Sequence, residues 1–165
     1  MPPVSVVGVA SLAEPAFPGD DGSVDPGLAA ALTTYATDGD LGPVLVALAR
    51  ARVLVPVVAV RGDTAADGDK EADMATVMLT GADGRKGLLA FSALETLRRW
   101  RPEARPVPVW AREAARAALA EGATALLLDL AGTVPVVVET DDLEHLAAGA
   151  ELVLVGGSWG WTRQS

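Results

Sequence analysis

Cysteine is missing from this chain of 165 residues, and histidine occurs once, as His145. Without thiols the chain can form no disulfide, no thiolate nucleophile and no cysteine-based zinc site. Aromatic residues are also few, at 4% of the chain, so leucine, valine and alanine must fill the core. Few rings remain to stack on a base or a sugar. These shortages exclude several common kinds of site, and no catalytic residue, metal or cofactor is expected.

Basic residues are outnumbered, since 13 Lys and Arg face 22 Asp and Glu, which gives a formal net charge of -9. Nucleic acids and anionic membranes favour a basic face, so neither is an expected partner. No run of about 18 apolar residues occurs, so no transmembrane helix is predicted. The apolar run from Val4 to Ala10 has no basic region before it, unlike a secretory signal. We therefore expect a cytoplasmic protein.

One domain is the expectation for a chain of this length, half of which is hydrophobic. Residues 1–24 contain four prolines and the cluster GDDG, which predicts a flexible segment with little fixed structure. Asp25 and Pro26 then begin the first helix, as its N-cap and its first helical residue. The predicted folded domain spans residues 25–155, and a tryptophan-containing tail, residues 156–165, follows it.

The first predicted strand, Val53 to Val60, is a short valine-rich run, which favours a buried strand over a helix. Pro56 within it cannot donate a hydrogen bond, so one edge must be free or bulged there. Residues 61–73 carry five carboxylates. As a calcium loop they lack the bidentate Glu at the twelfth position, so we expect a solvated connection. Alternation from Met74 to Thr80, a glycine-containing turn and a return strand from Lys86 to Phe91 predict a β-hairpin.

Further elements follow this hairpin. Ser92 and Glu95 match a capping box that begins the next helix, which is predicted to end at Trp100. Residues 124–130 and 134–139 form a second predicted hairpin, with an alanine-rich helix before it and another helix after it. The chain is therefore predicted to be an α/β (α+β) domain, in which four or five helices flank a mixed sheet with hairpins.

One concentration of positive charge, the basic group, surrounds the end of the helix at Trp100. It consists of Arg98, Arg99, Arg101 and Arg105. Positive charge at a helix C-terminus complements the helix dipole, which is a structural role. Arginine beside an indole ring can also hold an acidic partner. Both interpretations stay open at this point.

Two tryptophans, Trp159 and Trp161, alternate in the tail after a pair of glycines. Tryptophan is enriched at the centres of protein interfaces, so these residues are candidates for binding a partner. The alternative is that one or both fold back onto the domain. Together with Trp100 and the basic group, the two tail tryptophans complete the candidate partner-binding residues.

The segment MATVMLTGADGRKGLLAFSALETLRRWRPEARPVPV, residues 74–109, resembles the SseB N-terminal domain family, in the form found in actinobacteria. The resemblance continues through EGATALLLDLAGTVPVVVE at residues 121–139, and it extends over about residues 28–155. It implies the fold of that family. It implies no catalytic residue set, because no enzymatic activity is established for this domain.

These observations together predict a non-enzymatic, cytoplasmic protein-interaction or regulatory domain, whose partner is another protein or a second copy. Two alternatives stay open. Asp129 and Glu139 lie next to apolar runs and could act as an acid and a base, or help to bind a small metabolite. The second alternative is a homo-oligomer that is joined by a sheet edge or by the tail.

Overall fold

The computed structural model describes residues 4–8, 17–60 and 73–163. The helices in these ranges are α1 (Pro26–Asp38), α2 (Gly42–Leu48), α3 (Leu94–Trp100), α4 (Ala111–Ala120) and α5 (Thr140–Ala147). The strands are β1 (Val4–Gly8), β2 (Arg52–Val60), β3 (Asp73–Thr80), β4 (Lys86–Ala90), β5 (Arg105–Trp110), β6 (Ala125–Leu128), β7 (Val136–Glu139), β8 (Leu152–Val155) and β9 (Ser158–Trp161). The prediction of a single α+β domain with flanking helices is confirmed.

The main sheet is mixed, as predicted, and has the strand order β5-β2-β3-β4-β6-β7, with β1 also paired to β3. Its one parallel pair is β4 with β6, and every other described neighbour is antiparallel. The two predicted hairpins, β3–β4 and β6–β7, are both present. Strands β8 and β9 form a separate two-stranded sheet.

Strand β3 has three neighbours because β2 and β4 share one of its edges. Thr76 is paired with both Val7 and Val57, so β1 must use the edge opposite β2. Strands β2 and β4 meet where Leu54 and Phe91 exchange two backbone hydrogen bonds, of 2.7 and 2.8 Å. Beyond that point β2 changes its partner to β3, and Pro56 lies in the gap between the two ladders. The edge is therefore unpaired at the proline, as the sequence predicted.

The core has two parts because neighbouring residues of a strand point to opposite faces of the sheet. Val53 and Val55 belong to the larger part, which lies beneath α1, α2, α4 and α5. Leu54, between them, belongs to the smaller part, where Leu97 of α3 is fully buried. Full burial of a leucine stabilises the fold by about 1.5–3 kcal/mol. Helix α3 therefore lies on the opposite face of the sheet from the other four helices.

Helix α1 begins as its sequence predicts. The Asp25 carboxylate accepts a hydrogen bond of 3.1 Å from the Leu28 N–H, and Pro26 occupies the first turn. The helix ends at Gly39, whose φ of 71° is a left-handed conformation that glycine adopts without steric cost. Local sequence signals therefore fix both ends of this helix.

The capping box predicted for α3 is wrong. The N-cap residue is Ala93, and it makes no side-chain capping bond. The hydroxyl of Ser92 donates instead to Asp129, and the carboxylate of Glu95 pairs with Arg99. The carboxylate of Asp129, directly after β6, also accepts the Ser92 N–H at 2.8 Å, which is the bond that a capping box gives to the carboxylate of Glu95.

The N-terminal segment differs from the expectation of little fixed structure where the structure describes it. Residues 4–8 form β1, which covers the free edge of β3. Asp20 binds the guanidinium of Arg52, so residues near it are tied to the sheet. An open sheet edge and a buried cation both need partners, and this segment supplies both. The connection predicted at residues 61–73 lies almost wholly outside the described residues.

Candidate functional site

The basic group lies at the C-terminal end of α3 and the start of β5. Arg98 and Arg99 occupy the last turn of the helix, where they complement its dipole. Arg99 also pairs with Glu95 one turn earlier, with 2.6 Å between Nη2 and Oε1. No ion pair within the described ranges engages Arg98 or Arg105, and both are exposed. Two of the four guanidinium groups are therefore free to meet an anionic group.

Trp100 is fixed between two neighbours. Its ring packs against Phe91, with ring centroids 5.7 Å apart, and the guanidinium of Arg101 lies 4.8 Å from its ring centroid. The indole is only partly exposed and contributes to the smaller core. Trp100 therefore has a structural role, and its outer ring face is already occupied by a cation.

An open hollow of about 580 Å³ adjoins the basic group, with Leu94 and Arg98 in its wall. Asp21 and Glu95 line the same hollow, so it carries charges of both signs. Mixed charges cancel at short range and do not concentrate an anion. The hollow is thus a weaker candidate site than the arginines alone would suggest.

A buried polar network joins the N-terminal segment to the sheet through Arg52. Its guanidinium donates to both carboxylate oxygens of Asp20, at 2.6 and 2.7 Å, and to the carbonyls of Ser23 and Ser92, at 2.6 and 3.0 Å. Only 10% of the Arg52 side chain and 15% of the Asp20 side chain are exposed. Burial raises the pKa of Asp20, but the hydrogen bonds from Arg52 and from the Gly22 N–H outweigh it, and the pKa lies below 3.8.

Asp129 forms the other end of this network and is 5% exposed. Its Oδ1 accepts the Ser92 N–H at 2.8 Å, and its Oδ2 accepts the Ser92 hydroxyl at 2.6 Å. The Thr96 hydroxyl lies 2.9 Å from both Oδ1 and the Ala93 carbonyl, so its single proton can go to either. The φ of Asp129 is 56°, a left-handed conformation that Asp tolerates better than most residues. This carboxylate anchors the end of β6 to the start of α3.

The two carboxylates of the catalytic alternative are not brought together. Glu139 pairs with Ala125 at one end of the β6–β7 hairpin, whereas Asp129 follows Leu128 at the other end. Four residues of a strand separate them by about 13 Å. Glu139 is instead bound to Arg85 on the surface, and this hydrogen bond and the charge attraction raise the pKa of the arginine above its usual value.

A hollow of about 310 Å³ adjoins Glu139, and its wall is largely apolar, with Leu127, Leu130 and Val137. This volume is at the lower end of the range of about 300–1,000 Å³ that small-molecule sites occupy. Asp129 does not line it. The hollow therefore offers a metabolite one of the two predicted carboxylates, and that carboxylate already has a partner.

The predicted tail forms β9, which pairs antiparallel with β8. Gly156 and Gly157 make the turn, with φ of 57° and 82°, as a tight two-residue hairpin requires. The ring of Trp159 covers Gly42 so closely that a Cβ atom there would lie 2.1 Å from Trp159 Cε2. One of the two tail tryptophans therefore folds back onto α2, although 38% of its surface remains exposed.

Trp161 also folds back, against α5. Its ring stacks on His145, with centroids 5.1 Å apart and planes 3° from parallel. Its Nε1 donates to Asp142 Oδ1 at 3.1 Å. These two contacts hold the base of the β8–β9 hairpin on the domain. The role that the structure gives to His145, the single histidine of the chain, is therefore to stack on Trp161.

The outer part of the β8–β9 hairpin is apolar and exposed. Residues 152–162 contain no charged side chain, in a chain of which 21% is charged. The exposed fractions are 37% for Val153, 57% for Leu154 and 69% for Val155. Adjacent exposed apolar side chains of this kind mark protein-interaction surfaces.

A groove of about 770 Å³ runs beside the hairpin. Its walls come from α1, α2 and β8, and small residues such as Ala30 and Ala47 leave room along it. Val46 and Trp159, which are 39% and 38% exposed, supply larger apolar surface. We call this groove and the β8–β9 hairpin together the C-terminal surface.

The two groups of candidate residues lie on opposite faces of the main sheet. Trp100 packs in the smaller core with α3, whereas Leu152 and Trp161 pack on the larger core. The basic group and the C-terminal surface are therefore separate candidate sites.

A family model of the SseB protein N-terminal domain matches residues 28–145, which is well over half of the chain. The chain belongs to this family. The resemblance seen in the sequence is thus confirmed for SseB, and the match ends within α5, before β8 and β9 begin. Searches among curated proteins and among solved structures found no match. No helix in the described part of this SseB domain is long and apolar enough to cross a bilayer.

Sequence reasoning missed the buried network of Arg52. A lone arginine at the start of an otherwise apolar strand was the available signal, because a charge next to a buried run needs a partner. The pairing of β9 with β8 was also missed. There the signal was Gly156-Gly157 between two short apolar runs, which is a strong hairpin pattern.

Proposed function

We propose that this SseB domain is a non-enzymatic, protein-binding or regulatory module that binds its partner through the C-terminal surface. The observation that carries the proposal is the exposure of Val153, Leu154 and Val155 in an uncharged hairpin of a strongly acidic chain. Exposure of such an apolar patch to water is unfavourable. Burial of the patch against a partner would contribute about 25 cal/mol of binding free energy per Å² of apolar surface.

The arrangement of the polar groups supports a binding role over catalysis. Asp129 is used in positioning α3, and Glu139 is bound to Arg85 at the far end of the hairpin. Among the described residues, no three His, Asp or Glu side chains cluster as metal ligands would. A general acid and base must both reach the reacting group, and these two carboxylates are too far apart to share one.

The test compares three baits in quantitative capture from the lysate of the source organism. The first bait is the natural chain, and the second carries Leu154→Glu with Val155→Lys, which leaves the net charge unchanged. The third, a matched control, carries Leu130→Glu with Val137→Lys. Leu130 follows β6 and is 40% exposed, and Val137 lies on β7 and is 43% exposed. We expect a specific set of proteins to fall about tenfold, or 1.4 kcal/mol, on the second bait only.

Equal capture by all three baits would contradict the proposal. Loss of the same proteins from an Arg98→Ala/Arg105→Ala bait, with full capture by the hairpin variant, would transfer the binding site to the basic group. A metabolite screen by thermal shift tests the remaining alternative. A compound whose stabilising effect disappears in Glu139→Gln would favour a small-molecule site beside β7.

A further inference from the structure

We infer that the partner of the C-terminal surface is a second copy of this chain, joined by antiparallel pairing of β8 with the partner's β8. The inference depends on the proposed function, since it names the occupant of the same surface. It also fixes a register, and a register can be tested residue by residue.

The direction of the backbone groups of β8 follows from one hydrogen bond. Thr162 N–H donates to the Glu151 carbonyl at 2.8 Å, so these two residues form a hydrogen-bonded pair. Such pairs alternate along an antiparallel ladder. Leu152 and Leu154 therefore belong to non-bonded pairs, and their N–H and C=O groups point outward. No hydrogen bond to another described residue engages these four groups.

Strand β5, at the edge of the main sheet, is protected against the addition of another strand, whereas β8 is not. Leu54 bonds to Phe91, so by the same alternation the pairs Leu54–Pro108 and Pro56–Pro106 are non-bonded. The nitrogens of Pro106 and Pro108 thus face outward from β5, where they offer no donor to an added strand. Proline on an edge is a known protection against strand addition. Strand β8 contains no proline, so its edge can accept another strand.

Twofold symmetry, together with pairing of all four outward backbone groups, selects one register. If Val153 lies on the axis, Leu152 faces the partner's Leu154 and Leu154 faces the partner's Leu152. All four outward groups on each strand are then hydrogen-bonded, and the interface is the same from both sides. Leu154, which is 57% exposed, would lie beside the partner's Leu152, a residue that lines the groove. The groove thus provides room for the exposed side chain of the second copy.

Charge also favours a second copy at this surface. Each chain carries a net charge of -9, so two copies repel each other through most of their surfaces. Residues 152–162 carry no charge, and Glu151 beside them is paired with Arg50 at 3.2 Å. Pairing of the two β8 strands therefore brings no unpaired charge of residues 151–162 against a like charge. Added salt should strengthen it, whereas an interface held by ion pairs would weaken.

The absence of cysteine allows a direct test. In the proposed register the two Val153 residues form a non-bonded pair, with Cα atoms about 4.5 Å apart, within the range for a disulfide. Val153→Cys should therefore cross-link rapidly when the full chain is oxidised with copper phenanthroline. Val155→Cys is the matched control, because it is more exposed but its Cα atoms would lie about 13 Å apart. Gly160→Cys reports pairing through β9 instead.

We expect the natural chain to sediment as a dimer at about 100 µM, and Val153→Cys to cross-link about tenfold faster than Val155→Cys. Leu154→Pro, which removes an outward donor, should sediment as a monomer. A monomeric natural chain, equal rates for the two cysteines, or faster linking of Gly160→Cys would each overturn the inference. If the natural chain is a monomer but the Leu154→Glu/Val155→Lys bait still captures fewer proteins than the natural chain, the proposed function stands and only the self-association is wrong. The two failures are thus distinguishable.

Discussion

Asp129 gives the sharpest prediction, because its buried carboxylate accepts two hydrogen bonds from Ser92 that a structural role explains. Asp129→Ala removes the acceptor for the Ser92 N–H and for the Ser92 hydroxyl. Hydrogen bonds to a charged group contribute about 1.5–3 kcal/mol each. Alanine at a φ of 56° adds about 1–2 kcal/mol of backbone strain. Removal of a buried charge offsets part of this, so we expect a loss of about 3–5 kcal/mol.

Two matched variants divide this loss between its causes. Asp129→Gly removes the same hydrogen bonds but relieves the backbone strain, so it should be about 1 kcal/mol more stable than the alanine variant. Asp129→Asn keeps Oδ1 as an acceptor, and its amide can donate to the Ser92 hydroxyl oxygen, so its loss should be about 1–2 kcal/mol.

The free energy of unfolding is measured by urea denaturation, with tryptophan fluorescence as the signal and a common slope for all variants. The alanine variant should also melt about 10 °C lower than the natural chain. A loss below about 1 kcal/mol for Asp129→Ala would refute the structural role, since such values are typical of unimportant surface positions. Equal losses for the asparagine and alanine variants would show that charge, and not hydrogen-bond geometry, is decisive.

Three further predictions address the network, the hairpin and the sheet edge. The folded-state pKa of Asp20 lies below 3.8, so its ion pair should contribute fully above about pH 5 and be lost as pH falls through that lower pKa. The stability difference between the natural chain and Asp20→Asn should therefore shrink in urea titrations below about pH 4, and a constant difference would contradict the assignment. Gly42→Ala should destabilise the chain by about 1–3 kcal/mol in thermal unfolding, but not in a Trp159→Ala background, where the added methyl group has space. Pro106→Val with Pro108→Val should restore outward donors on β5 and increase light scattering on storage, and an unchanged signal would show that the prolines do not protect this edge.

Local patterns in the sequence determined much of the fold. Alternation and turn residues predicted both hairpins of the main sheet, and Asp25 with Pro26 predicted the start of α1. These signals are reliable because the residues that interact are close in the chain, so side-chain period and turn chemistry act directly. The family resemblance was readable for the same reason, as a continuous segment.

Tertiary structure alone decided which distant polar groups meet. Ser92 had a plausible local partner in Glu95, yet it bonds to Asp129, which is 37 residues away. Arg52 binds Asp20 from a segment that looked unstructured, across 32 residues. A polar group inside the protein must find a partner or lose about 1–3 kcal/mol, and folding sets which partner is within reach. The sequence by itself therefore determined the helices and the two hairpins of the main sheet, but not β1 or β9. Packing placed the buried charges and turned both tail tryptophans back onto the domain, because only in the folded chain do those surfaces exist.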